Sequence, residues 1–296
     1  MTEEAPEPRY EEAFVDLVGA RVHYLHAGSG KPVLLIHGLI GSSANWRNNI
    51  SALAQNASVY AIDLVQIAKA QCAADPDAGL SAIANRIVAV MDALNLANAD
   101  IVAHSHGGAV ALMLAALQPK RVRSLILFAP ANPFSRSSDL MVRVYSTAWG
   151  GILAWMLPFL PAPMQRIALG EMNGGADRLP DRCLQEIAEG LRSPATLHHV
   201  LCVVRCWCAE MAKLEAAIQL IERIPTLLIW GDRDRMVSLT SAIHLYLTLG
   251  GSELLVVPGG HSIFEDRAEE SNRIIIEWLE RHLLSTPGQD DLSHAA

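Results

Sequence analysis

Ile101-Val102-Ala103-His104-Ser105-His106-Gly107-Gly108 is an apolar run that ends in a serine and continues into small residues. The run reads as a buried strand, and Ala109 to Leu117 behind it as a helix. A chain that turns so abruptly from strand to helix must bend sharply. The bend needs small neighbours and lifts the serine hydroxyl above the edge of the sheet. Taken alone, the stretch also has an ordinary structural reading, with Ser105 as the N-cap of the helix. What stands at the ends of the other strands decides between the two.

Three more motifs directly follow apolar runs. His37-Gly38-Leu39-Ile40-Gly41 follows Val33 to Ile36, Trp230-Gly231-Asp232-Arg233-Asp234 closes the run that starts at Leu227, and Pro258-Gly259-Gly260-His261 follows Leu254 to Val257. Together with the serine turn, these motifs resemble the alpha/beta-hydrolase family. That family has a nucleophile elbow, usually Gly-x-Ser-x-Gly, and then an acid and a histidine in that chain order. Ala103 stands here in place of the first glycine, and the His37-Gly38 stretch resembles the family's oxyanion loop. The four motifs span residues 33 to 261 in the correct order.

The chemistry explains the residue types. A serine hydroxyl is a weak nucleophile at neutral pH, so an imidazole must take its proton, and a carboxylate must hold that imidazole in the right tautomer. The resemblance implies Ser105 as nucleophile, His261 as base and Asp234 as the carboxylate, with the backbone N–H groups of Leu39 and His106 as oxyanion donors. Asp232 is then a turn residue, and Asp63 occupies the place of a structural aspartate. An elbow carrying serine disfavours the haloalkane dehalogenases and epoxide hydrolases, whose similar elbow carries aspartate. The activity implied is hydrolysis of carboxylic esters through an acyl-enzyme, with no cofactor and no metal. Related chemistries on the same triad are lactone hydrolysis, carbon–carbon bond hydrolysis of ring-cleavage products and perhydrolysis. A ligand-binding protein on the hydrolase scaffold is the alternative from another class. One departure bears on it: after Asp63, where relatives often read x-Pro-Gly-x-Gly-x-Ser, the chain has Leu64 and then Val65 to Ala70. The stretch around His261 is also one residue shorter than in many relatives.

Outside the motifs, Phe14 to His26 alternates around Gly19 and Ala20 as an antiparallel hairpin does. Val33–Ile36, Val59–Ile62, Ile101–Ala103, Leu125–Phe128, Leu227–Trp230 and Leu254–Val257 read as strands buried on both faces. Ala82–Leu94, with Ile83, Ile87, Val90, Met91 and Leu94 on one face, and Ile274–Leu284 read as helices. The alternation predicts an α/β fold: a mostly parallel sheet with helices on both faces. It is interrupted once, by about 95 residues before Thr226, far beyond an ordinary connection. The expected organisation is a core of residues 1–131 and 225–296 with a helical cap of residues 132–224 inserted. The tail Ser285–Ala296 reads as loose.

Within the insert, the 22 residues between Arg143 and Arg166 carry no charge. Pro158, Pro161 and Pro163 interrupt them, so no membrane-spanning helix is expected. Trp149, Ile152, Leu153, Trp155, Met156, Leu157 and Phe159 need cover from the main domain, substrate, a second subunit or lipid. Burial against the main domain is the default expectation. An acyl-binding cleft would use Trp149, Trp155 and Met156, and a homodimer would use the same surface. Hydrophobic residues make up 51% and the net charge is −8, which excludes a disordered chain and disfavours nucleic acid as partner. With no signal-like start and five cysteines, an odd number, the chain is expected to be cytoplasmic with reduced thiols. The expected partner is a small hydrophobic ester. His198, Cys202 and Cys206 share a helix face, but buried packing is the expected role rather than a metal site.

Overall fold

Apolar residues at alternate positions of each central strand belong to two different cores, and that division builds the molecule. The computed structural model describes residues 10–64, 71–72, 78–135, 142, 147–170, 188–221 and 224–283. The altered loop Val65–Ala70 and the tail Ser285–Ala296 lie outside the described residues.

The strands are β1 Glu11–Leu17, β2 Ala20–Ala27, β3 Pro32–Ile36, β4 Ser58–Ile62, β5 Gln71–Cys72, β6 Ala99–His104, β7 Val122–Phe128, β8 Thr226–Gly231 and β9 Glu253–Val257. They form a sheet in the order β1-β2-β4-β3-β6-β7-β8-β9, with β5 paired to β2. The β1–β2 hairpin and the β2–β4 pair are antiparallel, and from β4 to β9 the sheet is parallel. Leu34, Ile36, Ile101, Ala103, Leu125, Leu127, Leu228 and Trp230 face one core. Val33, Leu35, Val102, Ile126, Phe128, Leu227 and Ile229 face the other. This period of two, apolar on both sides, is why the strands read as unbroken runs.

The first core is closed by α2 Leu80–Ala93 and α3 His106–Leu117, the second by α1 Arg47–Leu53, the short α8 Ile263–Asp266 and α9 Ala268–Leu283. Helix α7, Leu239–Thr248, lies between β8 and β9. One expected strand differs from its prediction. β9 pairs only with β8, so it is an edge strand, and Val256 is exposed rather than buried. Strand order, which sets which strand is outermost, is not written in the apolar runs themselves.

Between β7 and β8 the described elements are helical: α4 Ala148–Met156, α5 Ala162–Gly170 and the long α6 Pro194–Ile218. Helix α6 ends in the first core, where Met211, Leu214 and Ile218 are buried. Among the described residues no helix is long and apolar enough to cross a membrane.

The expectation that the large apolar residues of α4 are buried against the main domain is corrected by the structure. Gly150, Ala154 and Pro158, four residues apart, form the buried stripe. Trp149 is 77% and Trp155 58% exposed, and Ile152, Leu153, Met156 and Phe159 are exposed with them. A helix apolar on every side buries one stripe, and here the small residues have taken it.

Candidate active site

The strand order reverses direction between β3 and β6: β4 lies outside β3 and β7 outside β6. At such a point the loops leaving the two carboxyl ends diverge and open a crevice for ligands. The His37 loop leaves β3 there and Ser105 leaves β6.

Ser105 is the bend itself, with φ 52° and ψ −121°, conformational space that residues with a Cβ rarely occupy. It is held by Ser105 N–H donating to the Phe128 carbonyl, while the Ser105 carbonyl accepts from Gly108, Ala109 and Ala131. Gly107 lets the start of α3 press on the neighbouring loop, because a Cβ there would sit 2.3 Å from the His37 carbonyl oxygen. Ala103, where relatives carry glycine, is fully buried in the β6 ladder, and the bend forms regardless.

His261 follows β9 and reaches across to the elbow. Its Nε2 lies 2.9 Å from Ser105 Oγ, and its Nδ1 lies 2.8 Å from Asp234 Oδ2. With Nδ1–H donated to the carboxylate, Nε2 is the nitrogen that accepts the serine proton. Asp234 has a fully buried side chain, and its Oδ1 accepts from the N–H groups of Met236 and Val237 at 2.8 and 2.9 Å. The two oxygens of one carboxylate are thus shared between imidazole and backbone, which fixes its angle. Asp232 is elsewhere: its half-exposed carboxylate accepts from Gly259 N–H at 2.9 Å, a bond that holds its affinity for protons below the ordinary range. It ties the acid loop to the histidine loop. Gly231 makes the approach possible, since a Cβ there would meet the Gly260 carbonyl oxygen at 2.2 Å.

The amides of Leu39 and His106 donate to no acceptor among the described residues, so neither is spent on the protein's own carbonyls. The loop that carries Leu39 is braced from beneath. His37 is fully buried, its Nδ1–H donates to the Gly38 carbonyl at 2.7 Å, and its Nε2 accepts from Leu64 N–H at 3.0 Å. Burial keeps it neutral, which those two roles require. Asp63 accepts from Ser43 N–H at 2.6 Å and from His23 Nδ1 at 2.9 Å. Burial alone would raise its affinity for protons, and these bonds reverse the sign and hold it ionised. Trp46 packs on Phe264 and Phe128 in the second core.

Sequence reading missed two braces. His104 donates from Nε2 to the His261 carbonyl at 3.1 Å, and its ring centroid lies 4.6 Å from that of His261, so the residue before the nucleophile supports the histidine 157 positions later. Burial, with His261 beside it, keeps His104 uncharged and well below the ordinary histidine range. Glu265 accepts from Asn45 and pairs with Arg47 at 2.8 Å, linking the end of the His37 loop to α8. No local pattern announces either contact.

Other candidates stand outside the hydrogen-bonded series of Asp234, His261 and Ser105. Trp149, Trp155 and Met156 are exposed on α4, which packs through Ala154 with Leu191, Leu197 and Ile40. Cys202 Sγ is 3.8 Å from the His198 ring and Cys206 Sγ bonds the Val203 carbonyl at 3.3 Å; no group of metal-binding residues occurs among the described residues. His106 carries a tension of its own. Its ring is buried with both nitrogens unpartnered, a cost of about 1–3 kcal/mol for each group so stranded.

Comparison with known proteins bears on the fold and on the class of chemistry. A family model described as the alpha/beta hydrolase fold matches residues 31–163. An uncharacterised protein of Mycobacterium tuberculosis is 31% identical over 259 residues, 84% of this chain and 75% of the relative. A 2-hydroxymuconate semialdehyde hydrolase of a Pseudomonas strain is 27% identical over 238 residues, 77% of this chain and 78% of the relative. Among solved structures, a meta-cleavage product hydrolase of Pseudomonas fluorescens superposes with TM-score 0.76 at 22% identity, covering 91% of this chain and 97% of that one.

Proposed function

We propose, because this chain belongs to the alpha/beta-hydrolase fold family and sets a serine, a histidine and an aspartate in hydrogen-bonded series, that it is a serine hydrolase of carboxylic esters with hydrophobic acyl groups. The observation that carries the reading is the relay Asp234–His261–Ser105, with contacts of 2.8 and 2.9 Å.

In this reading Ser105 Oγ attacks the ester carbonyl while His261 Nε2 takes its proton, and Asp234 stabilises the imidazolium that forms. The charge on the carbonyl oxygen meets the amides of Leu39 and His106, donors worth roughly 10²–10³ each in rate where one has been removed elsewhere. His261 returns the proton to the departing alcohol, leaving the acyl group on Ser105. A water molecule, deprotonated by the same histidine, then attacks the acyl-enzyme and releases the acid. The helical insert of residues 132–224 serves as the cap over the core of residues 1–131 and 225–296.

Hydrolysis of nitrophenyl esters of graded chain length tests this, with Ser105→Ala as control and a fluorophosphonate probe to label the nucleophile. Turnover of at least one ester, with labelling at Ser105 that the variant abolishes, is the expected result. No turnover at any length together with no labelling would sink the reading and favour a binding protein on the same scaffold. The relationship to the 2-hydroxymuconate semialdehyde hydrolase favours a second reading, cleavage of a carbon–carbon bond in a ring-cleavage product. Turnover of such a dienoate in preference to every ester would move the assignment there.

A further inference from the structure

Two neighbouring residues at the carboxyl end of β4 hold both ends of the loop that carries Leu39. At the near end Leu64 N–H donates to His37 Nε2 at 3.0 Å, and His37 Nδ1–H in turn donates to the Gly38 carbonyl. At the far end Ser43 N–H donates to Asp63 Oδ1 at 2.6 Å. Between them Gly41 N–H closes a turn onto the Gly38 carbonyl at 3.1 Å, with Leu39 and Ile40 at its two central positions. The direction of the Leu39 amide is therefore set by where Asp63 and Leu64 stand.

Leu64 acts through its backbone, whereas Asp63 acts through a carboxylate that can turn. One group fixes that turn. His23, in β2, donates from Nδ1 to Asp63 Oδ2 at 2.9 Å, while its own carbonyl accepts from Asp63 N–H at 3.0 Å. Both residues are only 1% exposed. Among the described residues the His23 ring makes no other hydrogen bond, since its Nε2 faces Glu12 Oε2 at 3.4 Å outside hydrogen-bond geometry. The pair is not needed to join the strands, because β2 and β4 are paired through their backbones from Tyr24 with Ile62 to Ala27 with Val59. A buried imidazole–carboxylate pair gives up its hydration, so an apolar pair would join the strands at least as well. What an apolar pair would not do is aim a carboxylate at Ser43.

We infer that His23 is a positioning residue for the oxyanion hole: through Asp63 it fixes the loop on which the Leu39 amide is presented. The inference rests on the serine-hydrolase reading and extends it to a hairpin strand outside the four motifs. His23 touches no reacting atom. Its ring decides which oxygen of Asp63 faces Ser43, and the Ser43 bond fixes the far end of the turn. Without the ring, Asp63 keeps Ser43 N–H as its hydrogen-bond donor, and burial then favours its uptake of a proton. A protonated or turned carboxyl holds Ser43 less firmly, and the Leu39 N–H loses its aim at the carbonyl oxygen. Because the charge on that oxygen grows as the new bond forms, the loss falls on the transition state more than on bound substrate.

Kinetics of His23→Leu and His23→Asn, counted per Ser105 site labelled to completion by a fluorophosphonate, test the inference. Leucine removes the N–H, and asparagine returns an amide N–H close to the place of Nδ1. On the best ester His23→Leu is expected to lower kcat by roughly 10- to 100-fold, short of the effect of removing a donor outright, with KM within about twofold. His23→Asn should recover most of the rate. The maximal rate of phosphonylation should fall in the same order, since that reaction also sets a charged oxygen against the Leu39 amide. A merely structural role would lower the number of labelled sites and leave kcat per site alone. An unchanged kcat per site in His23→Leu, a loss carried by KM instead, or a His23→Asn variant as slow as His23→Leu would overturn the inference. Where His23→Leu does not fold, His23→Phe takes its place; failure of both to fold would also overturn it, because the pair would then be a requirement of the sheet. A wild-type chain that labels at Ser105 but turns over no ester would sink the ester reading alone, and the phosphonylation rates would then decide for or against His23.

Discussion

The carboxyl ends of β6, β8 and β9 and the helix α4 are built on opposite terms. At the strand ends the groups of the relay have designated partners: Asp234 divides its oxygens between His261 and two amides, and Asp232 and His104 brace the backbone on which His261 rides. On α4 the inward contact is a stripe of small residues, and the largest side chains stand in solvent. One region is over-determined, so that no single side chain can move without breaking a bond. The other is seated by Ala154 packing with Leu191, Leu197 and Ile40 and leaves its most hydrophobic surface uncovered. The difference teaches that abundance of apolar residues is a poor guide to which part of a chain is fixed.

The largest test of the over-determined end is to alter one oxygen of Asp234. Asp234→Asn keeps the shape but lets the amide nitrogen face His261, so the imidazole turns to the wrong tautomer. Loss of about 10⁴ in kcat on the best ester is expected, as for the equivalent change in a serine protease. Asp232→Asn keeps an oxygen for Gly259 N–H and should cost no more than about tenfold in kcat, the rate equivalent of about 1.4 kcal/mol. Equal losses for the two variants would show that the relay geometry is not what sets the rate.

Much of this end could be read before any coordinates. The apolar runs gave the strands because a strand buried on both faces has no polar alternation to hide it, and the hairpin at Gly19 followed from the opposite pattern. The elbow and the order of the motifs came from short local stretches, the choice of Asp234 over Asp232 from the family resemblance, and the structure brings Ser105, His261 and Asp234 together. What stayed hidden was non-local. The edge position of β9 depends on strand order. The bonds from His104 to the His261 carbonyl and from Arg47 to Glu265 join residues that no period relates. The exposure of Trp149 and Trp155 was hidden for a different reason, since an all-apolar helix carries no sign of which face is inward.

A second, smaller effect concerns stability. His106 and His199 bind protons more weakly in the folded chain, with values near about 3 and about 4, than in the unfolded one. The stability this contributes is complete above pH ~6.5, the unfolded value, and is lost as pH falls from there through the two folded values. Between pH 7.5 and 4.5 each ring should cost on the order of 2 kcal/mol. Urea titrations at the two pH values should therefore show a smaller drop for His199→Phe than for the wild-type chain. Parallel drops would mean that His199 is hydrated in the folded state and that the start of α6 is less dry than its burial says.

The smallest expected effect falls on the other side of the comparison and is the sharper for being small. If Trp149 and Trp155 are exposed at 77% and 58%, replacing both with glutamine removes little buried surface. The thermal midpoint should stay nearly where it was, with a change in stability within about 0.5 kcal/mol, as for surface substitutions elsewhere. Burial of even one indole would make the same change cost about 3–5 kcal/mol, so the measurement separates the two cases widely. A large loss would place the tryptophans under cover in solution, and α4 would then be fixed as firmly as the strand ends. An unmoved midpoint fits an inward side of α4 made by Gly150 and Ala154, with Pro158 in the turn behind it, and leaves the packing of Ala154 with Leu191, Leu197 and Ile40, rather than the tryptophans, to hold the helix.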